Sequence, residues 1–335
     1  MKLKHILKAT VLGTSLSLIA GATQAAQYEW RYASAAPEGT PWVKHSEKLR
    51  DALVENSAGA IQITLFNNAQ LGKETDVIKQ VARGRIDIGA FSMSGVSAMV
   101  PEFALTLAPY LWDSYEQIDC AYDNHLASAL EPLLEKKNLK LIQWNEIGFA
   151  NLFGTSKIVT PEDAKALKMR VSISPAGTNF YEAVDMNGIY IPFSEMSSAL
   201  QTGLINGGSL SAILYVAAGF GKQAPYYTLT KHAHEAGVIL MNLDLWNSLP
   251  ADMQQAFDDS LAPQQALRDG VRGMDAYLLG KFKEAGGQVH ELSASERAVW
   301  QTQGSSKYAD LVKSVGGESK TLWPLIMSAK EACTI

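Results

Sequence analysis

The chain is poor in cysteine, has only two, and carries no excess of positive charge: 29 Lys and Arg stand against 34 Asp and Glu, for a net charge of −5. Past the amino terminus no apolar run is long enough to span a bilayer. The acid balance argues against nucleic acid as a partner, which would call for a clustered basic surface. No G-x-S-x-G elbow, Walker loop, dinucleotide-binding glycine fingerprint or H-E-x-x-H motif occurs, so no nucleophile, phosphate or zinc chemistry is signalled. Low-complexity tracts, repeats and Gly/Ser linkers are also missing. What remains is 335 residues, 47% hydrophobic and 19% charged, enough for about two globular domains.

Residues 1–25 read as a secretory signal peptide. Lys2, Lys4 and Lys8 form the charged start, Val11 to Ala22 the short apolar core, and Thr23 with Ala25 the small residues before a cut after Ala25. Cleavage leaves 26 basic residues against 34 acidic ones, a net charge of −8, in the mature periplasmic protein. Export leaves two readings for Cys120 and Cys333, a disulfide or two free buried thiols.

Strand and helix signals alternate along the mature chain. Tyr28 to Ala33 reads as a strand; Thr40 and Pro41 then start a helix that Gly59 terminates. Ile61, Ile63 and Leu65 alternate as a strand, Gly84 closes a helix before a strand from Ile86 to Phe91, and Leu139 to Trp144 is another strand. After a short irregular stretch the pattern restarts with a capped helix at Thr160 and a strand near Met169 to Ile173. A helix then runs to Gly203, Leu204 to Gly207 forms a brief strand, and long helical segments follow Pro250. This is an α/β fold of two lobes, and without a flexible linker the chain should cross between them more than once.

Arg170 stands inside a strand (Lys168-Met169-Arg170-Val171), where a guanidinium needs an internal carboxylate or a ligand; its planar fork fits a carboxylate bidentately. Trp42, Trp144, Phe180 and Phe193 could line a cleft or fill a core. His232 and His234 are spaced to face one way on a strand, but no third ligand accompanies them, so no metal site and no cofactor is expected.

Four segments together resemble the DctP-like solute receptors of tripartite ATP-independent periplasmic (TRAP) transporters: GAIQITLFNNAQLGKETDVIKQVARGRIDIG (59–89), TPEDAKALKMRV (160–171), PFSEMSSALQTGLINGG (192–208) and NLDLWNSLPADMQQAF (242–257). The resemblance implies a periplasmic binding protein fold of two lobes with hinge crossings and a long lobe-spanning helix. Lobe I would comprise 26–147 and about 236–275, lobe II 148–235 and about 276–335. It implies a ligand held between lobes, no enzymatic activity, and delivery by a monomer to a small and a large integral membrane subunit. Residue by residue, Arg170 matches an arginine that clasps the ligand carboxylate, Phe193 an aromatic that packs on the ligand, and Glu74 an acidic contact of the sialic-acid branch. Asn151, Trp144 and Ser209 are further candidate contacts.

The departures from the family pattern shape the expected ligand. Ala150 replaces a common second arginine, Leu210 a side-chain amide, and Ser92 an acid. A dicarboxylate or sialic acid would leave groups unpaired, at about 1–3 kcal/mol each, so a small monocarboxylate is expected. An exported sensor of the same fold is the competing reading.

Overall fold

The computed structural model describes residues 26–334; the expected signal peptide lies outside them. Nine strands form one mixed sheet: β1 (Tyr28–Ser34), β2 (Ile61–Phe66), β3 (Ile88–Ser92), β4 (Leu139–Gly154), β5 (Lys168–Val171), β6 (Asn187–Tyr190), β7 (Gly207–Leu210), β8 (Tyr226–Asn242) and β9 (Gln288–Glu291). Their order is β2-β1-β3-β8-β4-β7-β5-β6, with β9 beside β8. β1 pairs in parallel with β2 and β3, and β5 in parallel with β6 and β7, the arrangement that strand–helix–strand crossovers produce. Helices start where the sequence offers caps: Pro41 follows Thr40, and Thr160 with Asp163 and Ser293 with Glu296 form reciprocal capping boxes.

Two strands make the connection between lobes. β4 has 16 residues and β8 has 17, and they run antiparallel through both halves of the molecule. Their inner parts (Leu139–Glu146 and Ala236–Asn242) join β1–β3 in the first lobe. Their outer parts (Gly148–Gly154 and Tyr226–Glu235) join β5–β7 and β9 in the second. The pairing slips at three places, between Leu141 and Gln143, Glu146 and Gly148, and Ala150 and Leu152. These bulges are why the stretch after Trp144 lacked alternation in the sequence: a slipped, fully buried strand has no polar face to announce it. The brief strand expected at Leu204–Gly207 is displaced to Gly207–Leu210.

The helix Gln264–Glu284 has 21 residues, about 31 Å at 1.5 Å per residue. Its Leu267 and Val271 pack with Trp42, Val43, Ile147 and Ile213 at the junction, and its Leu279 and Phe282 pack on the second lobe's core. At the crossing Glu146 receives Arg272 of this helix (Nη2–Oε2 2.7 Å) and His234 of β8 (Nε2–Oε1 2.7 Å). Arg272 also holds Asp119 through two bonds of 2.7 and 2.6 Å. Burial pushes the Glu146 carboxyl up, but His234 and Arg272 outweigh it and hold the group below its usual range.

The carboxyl-terminal helices Tyr308–Val315 and Ser319–Ala332, expected with lobe II, pack against the first lobe's core. Leu311, Val315, Leu322, Ile326 and Ala329 are buried in one cluster with Phe103, Leu105, Ile118 and Leu130 of the first lobe. Cys333 is joined there to Cys120 in a disulfide, with Cα atoms 5.7 Å apart. Tyr308–Val315 also packs on the second-lobe helix Pro175–Ala183. Local sequence pattern could not show this, because the apolar stripes of both helices fit either lobe.

Candidate ligand-binding cleft

A cleft of about 990 Å³, its open mouth included, lies between the lobes. Arg170 forms its floor. β5 runs between β6 and β7, and Arg170 pairs with Ile189 and Gly208. At Gly208 a Cβ would sit 3.2 Å from that of Arg170 and 3.1 Å from the Phe153 ring, so a side chain there would crowd the arginine. Arg170 is 9% exposed. Its Nε donates to the Ile191 carbonyl at 2.8 Å, and the Tyr181 hydroxyl donates to its own carbonyl at 2.6 Å. No carboxylate within 4.0 Å pairs with it among the described residues, so the internal salt bridge that could have explained a buried arginine is missing. Burial lowers its pKa, and nearby Glu235 and Glu74 partly offset that; a guanidinium remains charged nonetheless. Two terminal nitrogens are left for an anion.

Glu74 begins the helix Glu74–Ala82 on the opposite wall. Its carboxylate accepts from the Ser92 amide and from Ser92 Oγ (2.8 Å), while Ser92 Oγ accepts from the Gly95 amide at 2.9 Å. Gly95 leaves room for this arrangement, since a Cβ there would stand 2.4 Å from the Glu74 carboxylate and push it aside. Burial raises the Glu74 pKa from 4.5 to about 7, against the two Ser92 bonds and Arg170, which favour the anion. Phe193 lines the wall below and meets Phe220 edge-on at 5.9 Å between ring centres. At the mouth Lys73 of lobe I and Glu195 of lobe II pair at 2.7 Å.

Of the residues singled out from sequence, Arg170, Phe193, Glu74, Ser92 and Leu210 all line this one cleft, as does Trp42. Two do not. Trp144 is buried against Tyr122 and Phe103 in the first lobe's core, at 4.9 and 6.5 Å between ring centres. Side chains alternate along a strand, so its neighbour Asn145 takes the cleft-facing position instead. Asn151 is spent inside the crossing: its Nδ2 donates to the Phe149 carbonyl and Tyr227 hydroxyl, and its Oδ1 accepts from the Lys231 amide. Ser209 lines a rear chamber of about 510 Å³ behind Arg170, with Ala150, Phe180 and His232. There Ser209 Oγ lies 2.9 Å from His232 Nε2, and Phe180 stacks on the imidazole at 4.3 Å.

Sequence reading missed Glu235, which lines both chambers and accepts from the Ser94 amide at 3.1 Å. The signal was present: Glu235 is out of phase with His232 and His234, which drew attention to the buried positions of the strand. Those histidines do not share a site. His232 is held by hydroxyls of Ser209 and Thr230, and burial lowers its pKa to about 3; His234 is bound to Glu146. Cys120, His125 and Cys333 bring ligand atoms within 4.8 Å of one another, but both sulfurs are spent in the disulfide.

Two lobes hinged on paired strands, with an unsatisfied buried cation between them, define a solute receptor. Residues 32–314 match the bacterial extracellular solute-binding proteins, family 7 (DctP), and the chain belongs to that family, the periplasmic receptors of TRAP transport. It is 24% identical over 323 residues to the C4-dicarboxylate-binding periplasmic protein DctP of Rhodobacter capsulatus, covering 95% of this chain and 97% of that one. It is 25% identical over 246 residues to the 2,3-diketo-L-gulonate-binding periplasmic protein YiaO of Escherichia coli, covering 73% and 75%. The fold is that of the sugar acid binding protein of Advenella mimigardefordensis in complex with galactonate (TM-score 0.87, 23% identity, 92% and 100% covered). A Roseobacter denitrificans TRAP receptor with bound β-D-glucuronate is similar (TM-score 0.84, 21% identity, 90% and 99% covered). No helix among the described residues is long and apolar enough to cross a membrane.

Proposed function

We propose that this receptor captures a small monocarboxylate, clasped by Arg170 and packed on Phe193, and hands it to the small and large membrane subunits of a TRAP transporter. The observation that carries the reading is the buried Arg170 guanidinium, which lines the cleft with two terminal nitrogens that bond to no group among the described residues and with no carboxylate partner. A buried cation without a counterion is unfavourable, and a ligand carboxylate that supplies two charge-assisted bonds relieves it. The acids found in relatives' sites or names, among them galactonate, glucuronate and C4-dicarboxylates, support an acid here without choosing among them. Leu210 and Ala150 carry no charge for a second carboxylate, and Lys73, the other cation on the walls, is engaged by Glu195. We assign 26–147, about 236–275 and 308–334 to one moving body, and 148–235 with about 276–307 to the other; the protein works as an exported monomer and not as an enzyme.

A thermal-shift panel of lactate, pyruvate, succinate, galactonate and glucuronate tests this, because binding to the folded state alone raises the melting temperature. Stabilisation by a monocarboxylate above that by succinate is the expected result. A shift with succinate alone refutes the monocarboxylate, and chemical turnover of any bound acid refutes the receptor.

A further inference from the structure

An anion on Arg170 would leave the cleft with acceptors still unmatched. Glu235 is half-buried on β8, and its one polar contact is the Ser94 amide at 3.1 Å. No lysine or arginine lies within 4.0 Å of it among the described residues. Asn145 is 9% exposed and its amide oxygen has no hydrogen-bond partner. Asn145 pairs across the ladder with Gly237, two positions from Glu235, so both side chains stand on the same face and both line the main chamber. Lys73, the other cation on these walls, is engaged by Glu195. The cleft thus presents one free cation, Arg170, and faces it with a carboxylate and an orphaned carbonyl.

Closure over a simple monoanion would bury the ligand's charge together with the carboxyl groups of Glu235 and Glu74 against one free positive charge. Excess charge shut away from water is unfavourable. Building on the acid clasp above, we propose that the ligand is zwitterionic: its carboxylate rests on Arg170, and an ammonium or other cationic nitrogen donates to Glu235 and to the Asn145 oxygen. The apolar body of such a molecule then meets Trp42, Ile147, Phe193 and Leu210. Arg170 and Glu235 are then each matched by an opposite charge on the ligand, and the Asn145 oxygen gains a donor.

Calorimetric titration with matched acids tests the proposal: valine against 2-hydroxyisovalerate, phenylalanine against phenyllactate, pipecolate against cyclohexanecarboxylate, with glucuronate as a polyhydroxy acid. The amino member of at least one pair should bind more tightly than its partner and than glucuronate, by about tenfold, the difference between a charge-assisted and a neutral hydrogen bond. Glu235→Gln should erase that preference by weakening the amino member and tightening the hydroxy member, which no longer meets a second negative charge. The wild-type comparison decides by itself should the variant not fold. Equal or tighter binding by the hydroxy members or by glucuronate overturns the zwitterion and leaves the acid clasp standing, provided Arg170→Ala abolishes that binding. Binding that survives Arg170→Ala, or no binding by any of these acids, overturns the clasp and the zwitterion with it.

Discussion

Arg170→Ala separates binding from folding. In the ligand-free protein the side chain gives one hydrogen bond, from Nε to the Ile191 carbonyl, and no ion pair within 4.0 Å. Its removal should therefore cost folding about 1 kcal/mol, offset in part by release from burying a charge. Binding should respond quite differently. Two terminal nitrogens are available, each worth about 1.5–3 kcal/mol to a carboxylate, and deletion strands the anion in a closing cleft. The expected loss is about 2–5 kcal/mol, roughly 30-fold to several thousand-fold in Kd. Arg170→Lys should recover little, since an ammonium cannot reproduce the two-pronged fork. Urea unfolding of the ligand-free variants, beside titration with the best-binding acid of the panel, reads both quantities. Destabilisation of about 3–5 kcal/mol with near-normal affinity would refute the reasoning, because that is the signature of a broken internal pair.

Reduction of Cys120–Cys333, which closes a loop across a separation of 213 residues, should lower stability by about 2–4 kcal/mol, below the roughly 5 kcal/mol ceiling of chain entropy. Two titratable thiols in periplasmic protein would count against the bridge. Glu74 has its folded pKa raised from 4.5 to about 7, so between those values the native state holds more protons than the unfolded one. Stability of the ligand-free protein should thus fall as pH rises through that window, and Glu74→Gln should flatten the slope; an unchanged slope would show that Glu74 is not its source. Gly95→Ala should push the Glu74 carboxylate off Ser92 and weaken ligand binding more than folding, as titration and unfolding curves would show. Intact-mass measurement of the mature protein should find Ala26 first; a full-length species would refute export by cleavage after Ala25.

The elements legible in the sequence were those with local signals. Pro41 after Thr40, the Thr160 capping box and the alternation of Ile61, Ile63 and Leu65 each act within a few residues, and each element stands where its signal put it. Arg170 was legible for the same reason: a cation among apolar strand residues is a local contradiction that demands a partner. The outer half of β4 was not legible, since bulges break its period and both faces are buried. Trp144 and Asn145 were exchanged because adjacent residues point to opposite faces, and only the register with β8 says which face is the cleft. The packing of the last helices on the first lobe's core was not legible without knowing which core would receive Leu311, Leu322 and Ile326.

The continuous β4–β8 ladder makes this molecule a leaf spring rather than two bodies on a loose joint. Strand pairing runs from Leu139–Asn242 to Gly154–Tyr226 across three bulges and without a linker. The bulge beside Glu146 is where such a sheet bends most easily, and Arg272 clamps that point to the long helix. At the mouth, Lys73 and Glu195 are the one ion pair among the described residues that ties the two rims across the cleft, so the spring is held shut by a single exposed charge pair.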